Sequence, residues 1–222
     1  MLRKHRKYDK IVRKEAFIYA HFHKTLRFMF CALQGEIMKL ERLSCKNNKY
    51  FAPAMALYEG AFPVLERRDE KEQSRIMQNP AYRFDLITDE NGLVGIMLYW
   101  ETNSFVYLEH FAILPELRCK GKATAALGIL KSQSQKSIVL EIEPPCDDTT
   151  IRRYNFYQRN GFVMNPHKHL QAKYHLGDDE LELNILTYPC EISKDEYAVF
   201  RKFLDAEVGI KPTCDSTATL PV

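Results

Sequence analysis

The stretch YLEHFAILPELRCKGKATAALGIL, residues 107–130, narrows the folds open to this chain more than any other. Its mostly apolar opening, with Glu109 among it, reads as a strand that Pro115 closes. A short cationic loop follows, Arg118-Cys119-Lys120-Gly121-Lys122-Ala123. From about Gly121 to Ser134 the apolar residues Ala123, Ala126, Leu127 and Leu130 recur at helical spacing. A strand feeding a helix through a glycine-containing basic loop belongs to α/β architectures. It also leaves the helix's first N–H groups and its partial positive charge facing outward, an arrangement that binds phosphate. Gly121 lets the backbone come close to such an anion, small Ala123 keeps the passage narrow, and Arg118, Lys120 and Lys122 add charge. On the loop alone, an ordinary helix start with solvated lysines accounts for the pattern equally well.

The flanking sequence alternates strands and helices. A strand at 38–43 precedes a helix at 51–62 with Ala54, Leu57, Tyr58, Ala61 and Phe62 on one face, then a charged helix over Arg67–Asn79 ending at Pro80. Tyr82–Thr88 and Leu93–Trp100 flank the turn Asp89-Glu90-Asn91-Gly92, a hairpin signal, and Phe105–Ile113 follows after Thr102-Asn103. Ser137–Glu143 is a strand stopped by Pro144-Pro145. Asp147–Thr150 offers N-caps for a helix carrying Ile151, Tyr154 and Tyr157, which ends at Asn160-Gly161. Leu181–Thr187 is a late strand, and Ser193 with Glu196 forms a capping box before a last helix at 194–205.

Composition excludes several function classes. The formal charge of +3 hides an asymmetry: residues 1–37 carry nine Lys/Arg against three Asp/Glu, so residues 38–222 net −3. A mildly acidic body predicts no nucleic-acid surface. Six scattered cysteines without a C-x-x-C pair argue against a zinc site or a disulfide framework, and suit reduced thiols in a cytoplasmic protein. His167 and His169 lack a third ligand and read as loop-surface residues; no metal is expected. His21, His23, Lys24 and Arg27 interrupt the apolar run Ala16–Leu33, which therefore suits neither a membrane span nor a signal peptide. The basic segment 1–37 is expected to lie upstream of a true start at Met38. An added surface helix, or one touching membrane or nucleic acid, are the alternatives. Residues 38–205 form the expected domain and 206–222 a disordered tail.

Taken with its flanks, the loop resembles the acetyl-CoA signature [QR]-x-x-G-x-[GA] of the GNAT family of N-acetyltransferases, which Arg118–Ala123 satisfies. A second family element is a tyrosine shortly before Gly-Phe, present here as NFYQRNGF with Tyr157 ahead of Gly161-Phe162. The order of elements over 38–205 agrees as well. The resemblance implies a mixed, mostly antiparallel sheet flanked by helices, in which two parallel strands, Phe105–Ile113 and Ser137–Glu143, splay apart. It implies acetyl-CoA as co-substrate, its pantetheine arm on the backbone of Phe111, Ala112 and Ile113, its pyrophosphate on the amides of Cys119–Ala123, and a contact from Asn155. Tyr157 would protonate the departing thiolate, and an amine would accept the acetyl group directly.

That amine must lose a proton first, since a lysine-like amine titrates near 10.4. Glu109 and Glu141 are the base candidates, with Glu143 a rival beside Glu141. Alternation places Glu109 with Tyr107 and Phe111, and Glu141 with Glu143. Each carboxylate is equally readable as an exposed strand residue or half of a structural ion pair. Tyr58, Phe62, Tyr99 and Trp100 are candidate pocket walls or simply core. The sequence does not choose between a small-molecule amine and a protein amine. A GNAT-fold sensor that binds CoA without turnover is the runner-up, and an adaptor working through residues 1–37 is a third reading.

Overall fold

The turn at Asp89–Gly92 forms as the sequence predicts. In a computed structural model that describes residues 38–177 and 179–209, it joins β2 (Tyr82–Asp89) to β3 (Gly92–Glu101). Asp89 Oδ1 accepts the Asn91 N–H at 2.8 Å, the local bond that makes aspartate a turn residue. β1 (Lys39–Arg42) pairs with the far side of β2, and β4 (Phe105–Ile113) with β3, giving a four-strand antiparallel meander. Two helices interrupt it between β1 and β2: α1 (Phe51–Ala61) and α2 (Glu70–Ile76). The second is shorter than the expected Arg67–Asn79. Asp69 caps it through the Glu72 N–H at 2.7 Å, and Arg68 stays outside the helix because its guanidinium is drawn into the core.

After β4 the chain passes through the basic loop into α3 (Lys122–Gln133) and returns as β5 (Ser137–Ile142), parallel to β4. α4 (Asp148–Arg159) follows, then β6 (Val163–Met164), β7 (His169–Leu170) and β8 (Glu182–Tyr188). The strand order is β1-β2-β3-β4-β5-β8-β6, with β7 also paired to β8. β4–β5 is the parallel pair in this otherwise antiparallel arrangement. β6 and β7, two residues each, are too short to leave a period in the sequence. α5 (Lys194–Phe203) runs into a π-helical turn, Leu204–Val208.

The expectations for residues 1–37 and for 210–222 fall outside the described residues. The first part of the expected tail is corrected. Val208 is buried, and its carbonyl accepts from Arg68 Nη2 at 3.2 Å, so the packed domain continues past Asp205.

Two apolar layers sandwich the sheet. One gathers Tyr58, Phe84, Trp100, Phe105, Tyr107 and Phe200 under α1 and α5. The other gathers Val106, Leu108, Leu127, Leu130, Tyr157 and Phe162 under α3 and α4. Val94 to Trp100 of β3 is buried on both faces apart from Gly95's lack of a side chain, which is why that strand reads as a nearly continuous apolar run. Each large side chain so buried contributes about 1.5–3 kcal/mol.

Candidate active site

β4 and β5 stay paired for four residues, Phe105–Leu108 against Ser137–Leu140. Beyond that point β4 keeps only β3 and β5 keeps only β8, so the two parallel strands diverge. The cause lies one residue on. Leu98 pairs with His110 and Tyr99 with Leu108, which makes Glu109 the extra residue of a β-bulge. A bulge bends and twists its strand, here where pairing with β5 ends. The gap opens a cleft of about 580 Å³ walled by Tyr107–Ile113, Leu140–Glu143, and Phe156 and Tyr157 of α4.

The bulge also overturns the expected alternation. Tyr107 lies in the α1/α5 layer, and Glu109 joins it by bonding Trp100 and Tyr174. Phe111 packs in the opposite layer, against α3 and α4. One inserted residue reverses the side on which every later side chain falls. His110 consequently turns toward Tyr58 and Phe62, with ring centroids at 5.0 and 4.6 Å.

The basic loop closes one end of the cleft, where Arg118 and Ala123 line it. Arg118 Nε donates to Ile113 O at 3.1 Å, tying the loop to the end of β4. Cys119 (φ 61°) and Gly121 (φ 74°) are both left-handed, a backbone that turns successive N–H groups to one side. The amides of Cys119, Lys120, Gly121 and Ala123 have no acceptor among the described residues, and Gly121 gives α3 no side-chain cap. Across the cleft, α4 differs. Asp147 accepts the N–H groups of Thr149 and Thr150 at 2.8 Å, closing that helix start with the chain's own carboxylate. A Cβ built on Gly121 meets nothing within 4 Å. Lys120 is exposed. Lys122 departs from expectation: its ammonium donates to Asp89 Oδ2 at 3.0 Å and anchors the β2–β3 turn.

Tyr157 faces the cleft from α4, its ring held by Phe156 and Phe162 at 5.1 and 5.5 Å. Burial pushes its phenol up to about 12, with Arg153 pulling weakly the other way. The hydroxyl has no hydrogen-bond partner among the described residues, so at neutral pH it is a protonated donor with its proton uncommitted. Asn155 is half-buried and lies off the cleft walls. Of the four aromatics proposed as pocket walls, Phe62 lines the cleft. Tyr58 and Trp100 are core, and Tyr99 donates to Asp85 at 2.9 Å.

The three glutamates differ sharply. Glu109 accepts from Arg68 Nη1 at 2.7 Å, Tyr174 OH at 2.7 Å and Trp100 Nε1 at 3.0 Å, with a fully buried side chain. Burial, the largest single influence, would raise its carboxyl, but Arg68, His110 and the hydrogen bonds from Tyr174 and Arg68 together outweigh it and hold the group below the ordinary glutamate range. Glu143 pairs with Arg153 at a partly exposed site. Glu141 lines the cleft and engages one neighbour on each oxygen, Tyr107 OH on Oε2 and His169 Nε2 on Oε1. The histidine is a residue that sequence reasoning misplaced. His169 is buried on β7 rather than on a loop surface. Among the described residues no group of three His, Cys, Asp or Glu is arranged to hold a metal, and no helix is long and apolar enough to cross a membrane.

Comparison with known proteins agrees with this fold. The curated Bacillus subtilis (strain 168) protein YjbC, assigned to the acetyltransferases, is 27% identical over 113 residues, 50% of this chain and 54% of its own. The chain thus spans about half the length of that relative. A solved structure from Bacteroides thetaiotaomicron, assigned to the GNAT family, is 27% identical with a TM-score of 0.72, over 78% of this chain and 99% of its own. The ribosomal-protein-S18-alanine N-acetyltransferase from Escherichia coli is 17% identical with a TM-score of 0.48, over 72% of this chain and 97% of its own, too loose a likeness to bear on the acceptor. Residues 51–162, from the start of α1 through the splayed strands and α4, match the model of the acetyltransferase (GNAT) family, and the chain belongs to that family.

Proposed function

We propose that the protein transfers an acetyl group from acetyl-CoA directly to a primary amine, with Glu141 as base and Tyr157 as acid. One observation carries this reading. Glu141 and the free Tyr157 hydroxyl face a single cleft that opens where β4 loses its partner strand and ends at the uncapped start of α3. The residues present suit a CoA thioester. The unpaired edge of β4 at Phe111, Ala112 and Ile113 can accept an extended arm as an added strand. The free amides of Cys119–Gly121 and Ala123, with Arg118, suit a pyrophosphate. Asn155 would contact CoA only from beside the cleft, and the Lys122 side chain only by giving up Asp89.

Acetyl-CoA supplies an acetyl group already activated as a thioester. Glu141 accepts a proton from the ammonium, directly or through water, and the N–H electron pair becomes the nucleophile that forms the C–N bond. Tyr157 gives its phenolic proton to the sulfur as the C–S bond breaks, and the proton that the nitrogen sheds on becoming an amide passes through water to restore the phenol. Glu109 is a weaker candidate for the base, since Arg68, Trp100 and Tyr174 already hold its carboxylate. The test is thiol release from acetyl-CoA with panels of polyamines, aminoglycosides, amino acids and peptides bearing free N-termini. The expected result is release with one class, and at least about 100-fold less from Glu141→Gln. Acetyl-CoA binding without release for any amine would overturn catalysis in favour of a CoA-binding sensor.

A further inference from the structure

The cleft glutamate is held from behind by a chain of side chains that reaches across the sheet to α5. His169 meets Glu141 Oε1 through Nε2, and its Nδ1 lies 3.0 Å from the hydroxyl of Tyr197. That hydroxyl is also 2.9 Å from Lys168 O, to which it can donate. Tyr197 is fixed in turn by a flat stack on His167, centroids 4.4 Å apart and planes within 8°. His167 Nε2 contacts Ile192 O at 3.1 Å. The His169 side chain is fully buried, packed against Tyr197 and Phe200.

A hydroxyl has one hydrogen to give and lone pairs to receive. The Tyr197 hydrogen can go to Lys168 O or to Nδ1; given to Nδ1, it fills that lone pair and leaves the ring's own hydrogen on Nε2, facing a Glu141 carboxylate that can only accept. A histidine's tautomer is set by the bond its other nitrogen makes. Tyr107 takes Glu141 Oε2 in the same way. Each carboxylate oxygen therefore spends one lone pair on an anchor and keeps the other, whereas Glu109 has three donors on its two oxygens, one of them a guanidinium. This difference separates a carboxylate fixed as a base from one fixed as a structural anion.

We infer that His169, its tautomer set by Tyr197, is a positioning residue that donates Nε2–H to Glu141 and aims the free lone pairs of that carboxylate into the cleft. The inference rests on Glu141 being the base. It extends the reacting machinery to β7 and α5, outside the residues matched by the family model.

Two measurements test it, one of which needs no acceptor. Long-range proton–nitrogen spectra of the full chain, with the His169 signals assigned by loss in His169→Gln, read which ring nitrogen carries hydrogen. Hydrogen on Nε2 in the wild type, with Tyr197→Phe shifting part of it to Nδ1, is expected. Nε2 bare in the wild type, or spectra unchanged in Tyr197→Phe, would overturn the inference. In acetyl transfer, His169→Ala should lower kcat about 10- to 100-fold, the scale of a misaimed catalytic group, with KM for acetyl-CoA within about twofold. His169→Gln places an amide N–H near the lost Nε2–H and should restore most of the rate. A Gln variant as slow as Ala, both folded by thermal melt, would mean that His169 only fills the core. If His169→Ala does not fold, Tyr197→Phe carries the kinetic arm with the same expected direction and a smaller loss. Absence of transfer by the wild type itself would count against the acetyltransferase reading, while the nitrogen spectra still decide the hydrogen-bond chain.

Discussion

Replacing Glu109 by glutamine should unfold this protein more readily without disabling the chemistry of what remains folded. In the wild type its carboxylate meets Arg68 at 2.7 Å, with the two side chains 5% and 0% exposed. Glutamine keeps the shape but removes the charge, and one end becomes an NH2 group facing the Trp100 N–H or the Tyr174 and Arg68 donors. Breaking a buried pair by removing one partner costs about 3–5 kcal/mol, because a charge is left buried without compensation. For a domain of this size about 2–4 °C of melting temperature accompanies each kcal/mol, so the melt should fall by roughly 6–20 °C. The sign with pH follows from the lowered carboxyl. The stabilisation is fully present above the unfolded glutamate value of about 4.3 and is lost as pH falls through the lower folded value. The gap between wild type and Glu109→Gln should therefore be wide at pH 7 and close in acid. The double variant Arg68→Met/Glu109→Leu should recover much of the loss, since apolar replacement of a whole buried pair is often near neutral. Denaturant melts give the stabilities, and acetyl transfer at about 15 °C gives the activity of the folded fraction. A melt near that of the wild type with transfer down 100-fold or more would refute the reasoning and return Glu109 to the role of base.

Three further outcomes follow from the geometry. Tyr157→Phe should cut kcat about 100-fold while acetyl-CoA affinity stays within about threefold; with its phenol pushed up to about 12, the wild type should show no loss of this donor below pH 10 in a pH–rate profile. Lys122→Met should lower stability by about 1 kcal/mol through the Asp89 contact and leave acetyl-CoA affinity, read by calorimetry, nearly unchanged. Gly95→Ala should be far more damaging than its size suggests, because the new Cβ would lie 2.3 Å from Ala112 O and 3.1 Å from Ile113 Cα. Such overpacking costs about 1–3 kcal/mol, and the displaced backbone is the β4 edge proposed to hold the co-substrate, so melting temperature and acetyl-CoA affinity should both fall.

What the sequence disclosed, it disclosed through local signals. The Asp89–Gly92 turn, the Asp147 and Ser193 caps and the Arg118–Ala123 loop each act within a few residues, so their composition announces them. The helix face that carries Tyr157 was legible from its spacing, and the resemblance to the GNAT family singled out that tyrosine ahead of Gly161-Phe162. The roles of the carboxylates were not legible. Glu109 owes its character to Arg68, 41 residues before it, and Tyr174, 65 residues after it. Its bulge exists only in register with β3. That single inserted residue also moved Phe111 to the other face, against a period-two reading. Lys122 looked like a phosphate ligand until the fold brought Asp89 beside it. His169 sits on a two-residue strand with no periodicity to betray burial, and its partners lie 28 residues away on either side.

The most direct measurement is a calorimetric titration of acetyl-CoA into the full chain and into Gly121→Val. Valine at φ 74° strains the backbone by about 1–2 kcal/mol, yet its Cβ meets no protein atom, so the variant should fold. Saturable binding by the wild type, weakened at least about tenfold in a folded Gly121→Val, is the predicted result. No binding by the folded wild type, or equal binding by both, would contradict the placement of the co-substrate at the start of α3 between the splayed strands.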